Sequence, residues 1–384
     1  MSSWRVGDWK FTLQGDGNFV REHVPTGEKI GLESIWPLKP PVPVPPPNPT
    51  VPARVEGVGM SYYGSPTDPD CDPVELAARF ADVGAKHTRT GWMLDAWAIG
   101  DVDGSGNYLP GQYDGLHPWL ESPFDGFDLD SPNNAYWDRH GDYIEAMHDQ
   151  GIHVVLTILD LYSWSEGKSN LLWVPNRDLQ PMRHNINGVS WGSPNDDDGG
   201  FYMLPDETLI AFMERLVDEV PSEGVTIEIG NEFPEKALHY RMADHLRRLG
   251  WAGPIQVNRN QSTPSQYDNM HIGTAFDQIA FHGFEELSYL DEHFPDQHLY
   301  NSFREAYDSG SMNPERVVIS TDGCGFNEPP YYHKAELLEV VADAKARGFA
   351  IEHQAREIKL GRFLQGRLDL NDFDAAFARQ LVEV

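Results

Sequence analysis

From residue 54 onward, short apolar runs alternate with longer stretches in which apolar positions recur every three or four residues. The short runs VEGVGMSYYG, AKHTRTGWML, GIHVVLTILDLY and VTIEIGNEF are rich in β-branched and aromatic residues and are bounded by Gly, Pro or Asp. That is the composition of buried strands. Helical spacing follows each run: from about Asp72-Pro73, over Trp137 to Gln150, over Asp206 to Val220 and over Lys236 to Leu249. PIQVNRN, QIAFHGF, RVVISTDG and FAIEHQAR continue the series, and its last helical run covers Asp372 to Val382. Strands that are apolar throughout need cover on both faces, which parallel pairing with crossover helices supplies. Eight such units predict an α/β fold, a closed (β/α)8 TIM barrel over 54–384, with ligand chemistry at the C-terminal ends of its strands.

The rhythm is absent from the first part of the chain. PLKPPVPVPPPNPTVP begins a proline-rich linker over 37–53, whose fixed φ angles favour an extended rod that neither forms a helix nor pairs in a sheet. Residues 1–36 carry turn glycines and three tryptophans, too few residues for a core of their own, and predict a small β-rich attachment or lectin-like segment. With 384 residues, one large domain and an appendage account for the whole length. Charge narrows the partners. Lys and Arg number 29 against 60 Asp and Glu, a net charge of −31, and no basic stripe is present to release counterions, so nucleic acid and anionic membrane are not expected partners. No apolar run approaches the roughly 18 residues that span a bilayer, and the opening MSSWRVGDWKF lacks the features of a secretory signal. The expected location is cytoplasmic, or outside the cell after release with a phage particle. Only Cys71 and Cys324 are present, so the fold stands on its core rather than on disulfides.

Strand four runs into Asn231-Glu232 and breaks off at Phe233-Pro234. A carboxylate at the end of a buried strand is costly unless it is hydrogen-bonded, neutralised or used. The run IEIGNEF resembles the Trp-Glu-Leu-Gly-Asn-Glu-Pro signature of clan A glycoside hydrolases, the cellulase and mannanase type of barrel, with Phe233 where the clan has Pro. The resemblance implies that Glu232 is the general acid/base and that a polysaccharide or oligosaccharide is the substrate. Cleaving a glycosidic bond takes one protonated carboxyl for the leaving oxygen and a second carboxylate across the sugar, about 5 Å away for retention and 6.5 Å or more for inversion. Asn231 is placed to hydrogen-bond the sugar 2-hydroxyl. Where the clan ends strand seven in Glu-x-Gly, this chain reads VVISTDG, with Thr321 at the Glu position and Asp322 directly before Gly323. Side chains alternate faces, so one residue of register decides which of the two enters the site. Asp322 is the expected second carboxylate, nucleophile or base, with Glu352 on strand eight as the alternative. Arg89 resembles the clan's strand-two Arg, which keeps the nucleophile ionised, and His282 resembles its strand-six His, with Phe284 in place of the companion Tyr.

Further candidates surround this centre. Asp160 and Tyr162 end strand three, and Asn258 and Asn260 end strand five, where each can bond sugar hydroxyls or serve as a turn or cap residue. Trp92, Trp97, Trp119, Trp164, Trp173 and Trp191 fall in or beside the long loops after strands two and three, as stacking platforms for pyranose rings or as anchors of the loops themselves. DVDGSGNYLPGQ opens like a calcium loop, with Asp101, Asp103 and Ser105 as ligands but Gln112 where a bidentate Glu belongs. It reads as a structural calcium site or as an Asx/Gly turn cluster, and no cofactor is required. LQGDGNFVRE resembles one bulb-lectin mannose site through Gln14, Asp16, Asn18 and Val20, or is a plain hairpin. Two function classes follow: an endo-acting glycoside hydrolase, or a carbohydrate-binding or structural protein on a catalytically decayed barrel, such as a phage component attached through residues 1–36.

Overall fold

A computed structural model describes residues 52–62, 66, 71–90, 116, 118–121, 127–160, 206–231, 236–258, 270–281, 299–321, 334–354 and 375–384, and the backbone of four earlier strands. The chain divides near residue 43 into two compact units. In the first, strands β1 (Ser2–Val6), β2 (Trp9–Leu13), β3 (Phe19–His23) and β4 (Glu28–Gly31) form an antiparallel sheet in sequential order. The lectin-like positions Gln14, Asp16 and Asn18 lie outside the described residues.

The second unit is a closed parallel barrel. Its strands are β5 (Val58–Tyr62), β6 (His87–Thr90), β9 (His153–Asp160), β10 (Val225–Asn231), β11 (Ile255–Asn258), β12 (Gln278–Phe281), β13 (Val317–Ser320) and β14 (Ala350–Gln354). They pair in chain order around the ring, β14 closing onto β5. All eight apolar runs become barrel strands, and the (β/α)8 TIM barrel expected from the sequence is the observed fold.

Seven helices are described: α1 (Pro73–Asp82), α2 (Asn134–Asp149), α3 (Asp206–Glu219), α4 (Lys236–Arg248), α5 (Leu299–Asp308), α6 (Lys334–Ala346) and α7 (Ala375–Glu383). Local chemistry starts α1: the Asp72 carboxylate accepts from the Val74 and Glu75 amides at 3.0 and 3.1 Å, and Pro73 occupies a position whose N–H would be unbonded anyway. The stretch after β6, read from the sequence as loop, contains an antiparallel pair, β7 (Trp119–Glu121) and β8 (Phe127–Pro132). Trp119 is buried there edge-on to Phe212 of α3, centroids 6.1 Å apart, so it anchors the connection.

The N-terminal mouth of the barrel is sealed by residues 52–57, which follow the proline-rich stretch. Val55 packs in the interior with Val155, Ala280, Val318 and Ala350. Its N–H donates to Gln278 Oε1 at 3.2 Å, and Gln278 Nε2 donates back to its carbonyl at 2.9 Å. His153 Nδ1 donates to the Pro52 carbonyl (2.7 Å) while its Nε2 meets Thr226 Oγ1 (2.8 Å), and His87 Nδ1 donates to the Glu56 carbonyl (3.0 Å). Burial keeps both rings neutral, pushing His87 down to about 4 and His153 to about 3. Gly59 is required beside this floor, since a Cβ there would lie 2.2 Å from the His87 ring.

Candidate active site

Which face of each strand looks inward follows from contacts across the ring. Glu228 of β10 bonds Arg89 of β6, two strands away, so both side chains cross the interior. Residues alternate faces along a strand. Hence Thr226, Glu228 and Gly230 share the inner face of β10, as do Gln256 and Asn258 on β11. On β12 and β13 the interior cluster marks Ala280 and Val318 as inward, and Ser320 on the same face donates to Glu352 Oε1 at 3.3 Å. The opposite phase faces the helices: Thr321 Oγ1 meets His353 Nδ1 at 3.1 Å, and the His353 ring stands edge-on to Phe377 of α7, centroids 5.7 Å apart. Thr321, the residue at the position of the clan's strand-seven Glu, therefore points out of the barrel.

A charged layer crosses the middle of the barrel. Glu228 Oε1 accepts from Arg89 Nε (2.9 Å), from Arg89 Nη2 and from Thr157 Oγ1 (3.0 Å), while Oε2 accepts from Gln256 Nε2 (2.7 Å). Arg89 Nη1 faces Glu352 Oε1 at 3.5 Å. The Arg89 and Glu228 side chains are 4% and 0% exposed. A carboxyl so deeply buried is costly unless other groups replace its water, and here Arg89 and Thr157 serve Oε1 while Gln256 serves Oε2. The layer holds the Arg89 guanidinium between Glu228, at its Nε and Nη2, and Glu352, at its Nη1.

The structure thus brings Arg89 and Glu352 together and sets Asn258 on the inner face of β11. Asn231 and Asp160 are register partners at the ends of adjacent strands, described as backbone. Glu232, Asp322, His282, Trp92, Trp97, Tyr162, Trp164, Trp173, Trp191, Asn260, Asp101, Asp103 and Ser105 lie outside the described residues. Glu228 was not singled out from the sequence, although its signal is present: a carboxylate two and four residues before Gly230 and Glu232, in phase with both. Among the described residues, no group of three or more His, Cys, Asp or Glu side chains is arranged to hold a metal ion.

No protein-family model and no curated protein matches the sequence. Solved structures do match the fold. A tri-modular GH5 (subfamily 4) endo-β-1,4-glucanase from Bacillus licheniformis superposes with a TM-score of 0.52 at 12% identity, over 86% of this chain and 59% of that one. A mutant form of Thermotoga maritima Cel5A in complex with cellobiose gives 0.51 at 12% identity, over 85% and 96%. A GH5-4 broad-specificity endoglucanase from an uncultured bacterium gives 0.50 at 10% identity, over 86% and 94%. At such identities the likeness is one of fold. The chain spans 59% of the tri-modular enzyme's length.

Proposed function

We propose that the chain is an endo-acting glycoside hydrolase that cleaves a polysaccharide at the C-terminal mouth of the barrel, with Glu232 as general acid/base and Asp322 as nucleophile or base. The observation that carries the reading is strand phase. Inward positions on β10 are 226, 228 and 230, those on β12 include 280, and those on β13 are 318 and 320. By alternation along the sequence, Glu232, His282 and Asp322 are in phase with these positions and their immediate neighbours are not. Arg89 is a buried cation inside the same barrel, the kind of group that would keep a nearby carboxylate ionised. The shared barrel fold of endoglucanases supports the substrate class. Glu352 is the weaker candidate for the second carboxylate, because it is buried in the charged layer, 3.5 Å from Arg89.

The chemistry follows from two carboxyls on opposite sides of one sugar. Glu232 protonates the leaving oxygen as the anomeric carbon gains positive charge; Asp322 attacks that carbon or activates a water; Asn231 hydrogen-bonds the 2-hydroxyl as the charge develops. Glu232→Gln and Asp322→Asn test the assignment on soluble β-1,4-glucan and β-1,4-mannan. Each is expected to lower kcat by a factor of about 10² or more while leaving glycan binding in place. Activity retained by Glu232→Gln places the acid elsewhere; activity retained by Asp322→Asn alone transfers the second role to Glu352. A parent that binds these glycans and cleaves none is a binding protein on the same barrel.

A further inference from the structure

The charged layer leaves some interior polar atoms without partners. Asn258, the last residue of β11, is 1% exposed, and neither its Nδ2 nor its Oδ1 is hydrogen-bonded. Two residues below it Gln256 is wholly buried, its Nε2 donating to Glu228 and its Oε1 unbonded. Both amides share the inner face of β11, and Asn258 pairs in register with Ala280 of the interior cluster. On β10, whose Glu228 pairs with Gln256, the next inward position is Gly230, which carries no side chain. An amide buried with both ends unbonded is destabilising, whereas an apolar side chain of similar shape is not. The chain therefore holds, just inside the C-terminal mouth of its barrel, a group without which it would fold better.

We propose that the Asn258 amide is a socket for a single hydroxyl group under the proposed active site. An amide offers a donor and an acceptor side by side, and a hydroxyl both donates and accepts, so one O–H satisfies both ends of Asn258. The hydroxyl belongs either to the sugar seated over the socket or to a water held beneath the reacting carboxyls. In both cases Asn258 is a positioning residue, retained for the ligand and not for the fold. The inference rests on the glycosidase reading for the identity of the sugar, but not for the unbonded amide.

The test compares the full chain with Asn258→Leu, by melting temperature, by kcat and KM on cellotetraose and mannotetraose, and by Kd for the same sugars in a Glu232→Gln background. The leucine variant is expected to melt at or about 2 °C above the parent while kcat/KM falls at least about tenfold. A sugar hydroxyl in the socket weakens Kd by about the same factor, whereas a bound water leaves Kd unchanged and lowers kcat alone. A leucine variant that folds and melts well below the parent while kcat and Kd stay unchanged has lost an amide that served the fold alone, which overturns the socket. Unchanged kcat and Kd overturn it as well. Should leucine prevent folding, Asn258→Ala, with a smaller side chain, is judged on kcat and Kd by the same rule. A parent that neither cleaves nor binds either sugar is a failure of the glycosidase reading, and the socket is then decided by the melting temperature of Asn258→Leu.

Discussion

Arg89→Met removes the guanidinium that Glu228 and Glu352 share. Glu228 keeps Thr157 and Gln256 as donors, but it loses two N–H contacts and its countercharge at 0% exposure. Stranding one partner of a buried pair costs about 3–5 kcal/mol, and the added loss of the 3.5 Å contact to Glu352 puts this variant in the upper half of that range. Glu228→Gln keeps the shape and leaves Arg89 its Glu352 contact, so it is expected to cost less, about 1–3 kcal/mol. Combined, the second change neutralises the carboxylate that the first one strands. The double variant should therefore be more stable than Arg89→Met alone, with a coupling of about 2 kcal/mol or more. Urea unfolding followed by the fluorescence of the 11 tryptophans reads this directly. With a slope of about 3 kcal/mol per M, near the upper end for single domains, Arg89→Met lowers the midpoint by roughly 1.3–1.7 M and Glu228→Gln restores part of it. Additive losses, with the double variant below both singles, would refute the buried ion pair as the organiser of the barrel interior.

Acid should unfold the chain early. His87 and His140 are held down at about 4 and His153 at about 3 by burial, so the folded state stays neutral while the unfolded chain takes up protons below about 6.5. Stability is thus full above pH 6.5 and falls as the pH drops towards 4, by on the order of 3 kcal/mol for each ring. Ordinary carboxylates titrate near 4, so a urea midpoint that stays flat between pH 6.5 and 5 would contradict the neutral histidines. Gly59→Ala drives a Cβ to 2.2 Å from a His87 ring tied to the Glu56 carbonyl and is expected to cost at least about 1–3 kcal/mol. A midpoint equal to the parent's would mean that the floor is looser than its hydrogen bonds imply.

What the sequence determines on its own is local. Each barrel strand announces itself as a short run rich in apolar and β-branched residues, polar only at a few inward positions, and each described helix because one buried stripe recurs every three or four residues. IEIG therefore reads as a strand before any contact is known, and the Asn231-Glu232 rim with it. Trp119-Leu120-Glu121 does not, because three residues are too few for alternation to stand out, and the Trp119 ring packs against Phe212, about ninety residues later. Tertiary structure alone decides which polar side chains meet. Thr321 is turned outward by His353 and Phe377, a choice of register that VVISTDG leaves open. Glu228 and Arg89 are 139 residues apart in sequence and lie on strands that are not neighbours in the sheet. His87 and His153 become neutral because residues 52–57 close the barrel floor over them. Periodicity is written in residue spacing, which the chain carries at every point. A pairing across the barrel exists only after the ring has closed, since closure and stagger set which inward positions share a layer.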